Sequence, residues 1–199
     1  MAELSVRDHL IEMGLRHMQK TSYCSTGLNE VLAHAGVSKG SFYHYFPSKE
    51  EFGSAVLQRY FDSEVARSTV LLGESKAAPI KRLRKYFEEL ISVYGPEGDM
   101  NGGCLLGNLS QEIANHSDLI QQTLQEGFRV WQGAIEVVLQ EAVTRGDLPK
   151  KAKTTEIASF ILNSYEGALL RAKAERSEAP LRLFLQMIFG NFLTDTSVL

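Results

Sequence analysis

The chain has 199 residues, a formal net charge of −3, and 44% apolar against 23% charged residues, which is the composition of an ordinary globular protein. No stretch has the unbroken apolar run that a membrane span needs, and the N-terminus lacks a signal core, so we expect a cytoplasmic protein. Two cysteines without CxxC spacing and five scattered histidines argue against a disulfide framework and a metal site, and no cofactor is predicted.

The N-terminal part of the chain contains two helical patterns before residue 36. The first predicts a helix over residues 5–20 that begins at a serine cap. The second predicts a helix that ends at Gly36, with an apolar stripe over residues 28–35 and with Thr26 or Asn29 as a possible cap. Gly36 is well placed to leave this helix in a left-handed conformation.

A two-turn helix is predicted next, over residues 39–45. Ser38 is a good N-cap, and Pro47 disfavours a helical residue before it. Phe42 and Phe46 share one face of this helix, so its polar side chains point elsewhere. A helix, a glycine turn and a second helix in this order predict a helix-turn-helix, whose second helix enters the major groove of DNA.

The run Gly36-Val37-Ser38-Lys39-Gly40-Ser41-Phe42-Tyr43-His44-Tyr45-Phe46, followed by Lys49-Glu50, closely resembles the DNA-binding domain of the TetR family of transcriptional regulators. The resemblance implies an all-α protein of about nine helices. It implies a helix-turn-helix domain over residues 1–48 and a helical domain for effector binding and dimerisation over residues 49–199. It also implies a repressor that binds a palindromic operator in double-stranded DNA as a homodimer and responds to a small molecule or an electrophile.

The expected DNA contacts lie on the third helix and at the start of the fourth. The first residues of the third helix are expected near base edges, and its later residues together with the lysine after Pro47 near phosphates. Residues 1–60 contain six basic and six acidic residues, so we expect weak nonspecific binding. The predicted contact residues are Ser38, Lys39, Gly40, Ser41, Tyr43, His44, Tyr45 and Lys49.

Helical patterns continue to the C-terminus. A capping box at Ser48 opens a helix to about residue 72, and turns are predicted over residues 73–79 and 95–103. Further helices are predicted over residues 80–94, 104–114 and 117–144, from Thr154 or Thr155, and after Pro180. The fifth helix carries a basic cluster expected on its exposed side: Lys81, Arg82, Arg84 and Lys85. The last two helices are apolar on more than one side, and the resemblance implies a four-helix dimer interface built from them.

Cys104 is the residue on which the signal hypothesis depends. At the start of the sixth helix, free backbone N–H groups and the helix dipole would stabilise a thiolate. The alternative is a small buried residue that lets helices pack closely. Gly103-Cys104-Leu105-Leu106 with Lys173 is similar to TetR-type repressors that sense electrophiles and oxidants through a cysteine near a lysine. That similarity implies that Lys173 favours the thiolate or traps its oxidised form.

Aromatic side chains give a second set of effector candidates. Phe128 and Trp131 are the largest groups available to line a cavity, although a helical stripe of this kind is more often core. Together with Tyr165 they are the residues predicted to face an apolar ligand.

Two other functions compete with the regulator. A helical enzyme could use Cys104 as nucleophile, but His116 is the one histidine outside the N-terminal unit that could act as its base. A helical interaction module without a DNA role is the third possibility. It predicts that replacing Tyr43 or Lys49 leaves any DNA binding unchanged.

Overall fold

The computed structural model describes residues 5–73, 76–98 and 102–194. Over these residues the protein is all-α with nine α-helices and a closing π-helical turn, which confirms the predicted fold class. Parts of the predicted turns over residues 73–79 and 95–103 lie outside the described residues. The helices are α1 (Val6–Lys20), α2 (Leu28–Ala35), α3 (Lys39–Tyr45), α4 (Lys49–Leu72), α5 (Pro79–Tyr94), α6 (Leu105–Glu112), α7 (Asp118–Arg145), α8 (Thr154–Glu175) and α9 (Ala179–Met187), followed by the π turn Ile188–Phe192.

Local capping chemistry sets the N-terminal helix boundaries as predicted. In α1, α3 and α4 a serine hydroxyl accepts the backbone N–H three residues on, at 3.1 Å in each case; the serines are Ser5, Ser38 and Ser48. Gly36 ends α2 with φ +64°, and Phe46 before Pro47 is extended. Caps and breakers act over a few residues, which is why they are readable in the sequence.

The predicted cap of α2 is wrong. Gly27 is the N-cap and supplies no side-chain hydrogen bond, while Asn29 lies one position inside the helix. The hydroxyl of Thr26 is buried in the preceding turn, where it donates to the carbonyl of Ser22 at 2.5 Å. Thr26 lies one residue before the N-cap, and its hydroxyl is held in that turn instead of against the first N–H groups of α2.

Two predictions about later helices also need correction. Arg82 does not lie on the exposed side of α5: it is only 5% exposed and pairs with Glu141 of α7, because its helical position adjoins the buried Leu83 and Tyr86. Cys104 is the N-cap of α6 and not a residue of its first turn, since the helix begins one residue later.

By compactness the chain forms two units. The first contains α1 to α3, α4 up to Ser63, and Cys104–Gly127, which includes α6 and the beginning of α7. The second contains the described residues of Glu64–Gly103 and of the chain from Phe128 onward, with α5, α8 and α9. Thus α6 packs in the same unit as the helix-turn-helix. The division into functional domains after residue 48 stays a prediction.

Each unit has an aromatic core. In the first, Phe42, Phe46 and Phe52 contact one another with ring centroids 5.1–5.4 Å apart. In the second, the ring of Phe87 contacts those of Tyr165 and Phe184 at 5.1 and 5.2 Å. Aromatic groups bury large apolar areas, so these clusters hold α3 against α4 and α5 against α8 and α9. None of the described helices is long and apolar enough to cross a membrane.

Candidate functional site

The α3 helix presents one buried face and one exposed face. Phe42 is fully buried and Phe46 nearly so, because their spacing of four residues puts both rings against α4. The guanidinium of Arg7 lies 5.2 Å from the centre of the Phe46 ring. The predicted DNA-contacting residues on and before α3 are all exposed: Ser38, Lys39, Gly40, Ser41, Tyr43, His44 and Tyr45.

This exposed face carries donors and flat rings at close spacing. Tyr43 is 47% exposed, and its ring packs edge-on against Phe42 at 5.3 Å, so the buried core orients an exposed phenol. The rings of His44 and Tyr45 stack edge-on at 5.1 Å. A Cβ at Gly40 would meet only the Ser38 hydroxyl at 3.9 Å, which leaves the backbone open to close approach. Such a face can supply hydrogen bonds to phosphates and base edges.

Lys49 differs from the other predicted contacts because it is half-buried and already paired. Its Nζ donates to the carbonyl oxygen of Tyr23 at 2.8 Å and lies 4.7 Å from the centre of the Tyr23 ring. Burial of Tyr23 raises its pKa to about 12, and the nearby Glu50 and Cys24 make smaller contributions in the same direction. The lysine therefore ties the start of α4 to the segment before α2, a role that no local pattern indicates.

Cys104 is buried in the first unit against α4. The thiol is 4% exposed, and the hydroxyl of Tyr60, itself 2% exposed, donates to its Sγ at 3.6 Å. Sequence reasoning missed Tyr60, because the two residues are 44 positions apart. The helical spacing of Tyr60 indicated only that it packs in the core with the other apolar residues of α4.

The α6 to α7 segment makes two further hydrogen bonds within the first unit. At the end of α6, the carboxylate of Glu112 accepts the backbone N–H of Cys24 at 3.1 Å. At the start of α7, the hydroxyls of Thr123 and Ser54 are 2.9 Å apart. The segment that carries Cys104 therefore contacts both α4 and the turn that leads into the helix-turn-helix. The side chain of Cys24 is exposed.

In the second unit, two of the three predicted aromatic effector residues come together. The rings of Trp131 and Tyr165 pack edge-on at 5.9 Å, and Tyr165 is fully buried in the aromatic core. The indole Nε1 of Trp131 is buried without a hydrogen-bond partner among the described residues. Phe128 lies on α7 and is partly exposed, and Lys173 is exposed in the last turn of α8. Cys104 and Lys173 fall in different units.

An open apolar groove runs along α8 and α9. Its volume is about 340 Å³, and Phe160, Leu183 and Met187 at its edge are each about half exposed. Large apolar side chains at this exposure are typical of a surface that meets another protein. The groove is lined by Phe160, Ser164, Gly167, Ala168, Arg171, Pro180, Leu183, Phe184, Met187, Ile188 and Phe192.

No group of three or more potential metal-ligating side chains occurs in the part of the chain that the structure describes.

Comparison with known proteins is consistent with this geometry over the whole length. Residues 10–56 match the family of bacterial regulatory proteins named after tetR, and residues 79–188 match the tetracyclin repressor-like C-terminal domain. The chain is 33% identical to the HTH-type transcriptional repressor DhaR of Mycobacterium sp. (strain GP1) over 98% of this chain and 96% of the relative. It is 36% identical to the transcriptional regulator AcuR of Cereibacter sphaeroides over 94% and 85%.

A solved structure agrees with the same assignment. The crystal structure of the reduced form of Escherichia coli NemR superposes with a TM-score of 0.83 at 29% identity, covering 92% of this chain and 95% of that one.

Proposed function

Because the chain belongs to the TetR family of bacterial regulatory proteins, we propose that it is a transcriptional repressor that binds a palindromic operator as a homodimer and leaves it when a signal reaches the helical domain. The observation that carries this proposal is α3, whose two phenylalanines are buried while its whole polar face is exposed. A recognition helix needs that division, since one face must fix the helix and the other must reach the major groove.

The proposed DNA contacts divide by position along α3. Lys39 and Ser41 at its start reach base edges, and Gly40 lets the backbone approach. Tyr43 and His44 donate to phosphates, which fixes the register without reading sequence. With no net positive charge over residues 1–60, nonspecific attraction to phosphates is weak, so affinity depends on a matched operator.

The proposed dimer uses the apolar groove on α8 and α9. A palindrome requires two recognition helices about one DNA turn apart, roughly 34 Å or a multiple of it, and only a second copy can supply the second helix. The half-exposed Phe160, Leu183 and Met187 support this interface, because a symmetric contact would remove them from water.

The proposed signal is modification of Cys104 by a small electrophile. Its thiolate attacks the β-carbon of an α,β-unsaturated carbonyl compound: a carbon–sulfur bond forms, the carbon–carbon π bond breaks, and the resulting enolate takes a proton from water. The thiol proton passes to solvent. The reaction consumes one thiol per subunit without turnover, unlike an enzyme. A role of Lys173 stays a prediction of the sequence resemblance.

A reversible ligand is the second signal that an observation favours. The buried Nε1 of Trp131 has no acceptor among the described residues, and the ring lies against Tyr165. An apolar compound with one hydrogen-bond acceptor would satisfy that donor.

Binding of purified protein to the DNA upstream of its own gene tests the function. We expect the protein with Cys24→Ser to bind at low salt and to release after treatment with N-ethylmaleimide, while addition of Cys104→Ser abolishes the release. Both proteins staying bound would exclude the thiol signal and leave the ligand. No binding of either protein at low salt would refute the repressor.

A further inference from the structure

We propose that Tyr60 is the positioning residue for Cys104: its hydroxyl keeps the buried sulfur reactive, and its ring carries the effect of modification into α4. This inference rests on the proposed function only for its second part. The first part concerns the reactivity of the free thiol and can be measured without DNA.

The contact joins two helices inside one compact unit. Tyr60 lies on α4, three helical turns beyond Lys49, and its hydroxyl donates to Cys104 Sγ at 3.6 Å. Both side chains are almost completely buried. A hydroxyl that donates to sulfur stabilises the thiolate more than the neutral thiol, because a bond to a charged acceptor is about twice as strong as a neutral one.

Burial alone would make Cys104 unreactive. Removing a charged sulfur from water is costly, so a thiol in an apolar site stays protonated and does not attack. The hydroxyl of Tyr60 and the positive dipole end of α6, at which the Cys104 side chain makes no capping hydrogen bond, oppose this cost. Of these, the hydroxyl of Tyr60 can be removed without altering the backbone.

Modification would leave no room for the contact. An alkylated sulfur carries extra carbon atoms in a place that is already packed, so the Tyr60 ring or the start of α6 must move. Since Tyr60 belongs to α4, its displacement acts on the helix whose first residues hold the segment before α2 through Lys49 and Tyr23. The coupling path is therefore a single side-chain contact followed by one rigid helix.

The test of reactivity is the pH dependence of Cys104 alkylation by iodoacetamide, followed by mass spectrometry. The background is Cys24→Ser, which removes the exposed thiol but keeps the backbone N–H that bonds to Glu112. We expect Tyr60→Phe to raise the pH midpoint of the reaction by about one unit and to slow it about tenfold at pH 7. Tyr86→Phe, at a buried tyrosine of the second unit, is the matched control and should change the rate less than twofold.

A second variant strengthens the donor instead of removing it. Incorporation of 3-fluorotyrosine at position 60 keeps the shape of the side chain and makes the hydroxyl more acidic, so the midpoint should fall. A midpoint that does not fall in the 3-fluorotyrosine protein would overturn the positioning role, even if Tyr60→Phe were poorly folded.

The transmission is tested on fully alkylated protein. Alkylated wild type should leave the operator, and alkylated Tyr60→Ala, which lacks the ring, should stay bound at least tenfold more tightly. Equal release by both proteins would overturn transmission through Tyr60. Retention of the alkylated wild type on the operator would refute the proposed thiol signal instead, while the reactivity result would stand.

Discussion

Replacing Lys49 by methionine is the most informative test of the DNA-binding unit, because this lysine has a structural partner as well as a predicted phosphate contact. Methionine keeps the length of the stem and removes the charge. The lost interactions are the bond from Nζ to the carbonyl of Tyr23 at 2.8 Å and the contact with the Tyr23 ring at 4.7 Å.

The expected loss in the free energy of unfolding follows from these two contacts. A hydrogen bond from a charged donor contributes about 1.5–3 kcal/mol, of which we take the lower end because the ammonium is only half-buried. The cation–π contact adds about 0.5–1 kcal/mol. Removing a cation from the first turn of α4 returns about 0.3–1 kcal/mol, since the helix dipole opposes it there. The expected net loss is about 1–2 kcal/mol, or roughly 2–8 °C in Tm for a chain of this length.

The assay compares thermal unfolding and operator binding of Lys49→Met with those of Lys39→Met. Lys39 is exposed and has no hydrogen bond or ion pair among the described residues, so its replacement should change stability by less than about 0.5 kcal/mol. It should instead weaken operator binding and lower the salt dependence by about one ion per subunit. A Lys49→Met protein that melts like the wild type would refute the structural role and restore Lys49 to phosphate binding alone.

Three other predictions concern packing, pH and assembly. Gly14→Ala should destabilise the protein by about 1–3 kcal/mol in urea titrations, because the new Cβ would overlap the Phe52 ring, whereas Gly133→Ala, with open space around it, should stabilise by about 0.5–1 kcal/mol. Stability should fall as pH rises from about 10 to 12, since the folded state keeps the Tyr23 proton that the unfolded chain loses near 10, and Tyr23→Phe should flatten that decline. Leu183→Glu should convert the dimer to monomers in sedimentation and abolish operator binding. The packing prediction fails if the two alanine substitutions have equal effects. The pH prediction fails if Tyr23→Phe leaves the profile unchanged, and the assembly prediction fails if Leu183→Glu remains a dimer.

The helix-turn-helix was predictable because its information is local. Ser38 and Ser48 cap within three residues, and Gly36 and Pro47 stop helices at their own positions. Such signals need no knowledge of distant residues. The cap of α2 shows the limit of such local signals: Thr26 has a suitable hydroxyl, but it lies one residue before the N-cap and is held in the preceding turn.

Long-range pairs were not predictable in this way. Arg82 belongs to a run of basic residues that suggests a solvated face, yet it lies buried beside Glu141, 59 positions later. The position of Lys49 at the start of α4 predicts a phosphate contact, while the carbonyl that it binds belongs to a turn 26 positions earlier. A charge pattern records which groups a helix carries and not what another helix places beside them.

The order of residues was therefore sufficient for the all-α class, the helix-turn-helix and the family. Those features follow from backbone capping, from helical periodicity and from a long motif, all of which act within a short stretch of chain. Tertiary packing alone decided that α6 joins the helix-turn-helix unit and that the hydroxyl of Tyr60 lies against Cys104. Contacts between residues far apart in sequence form only when several helices bury their faces together, so no single segment encodes them.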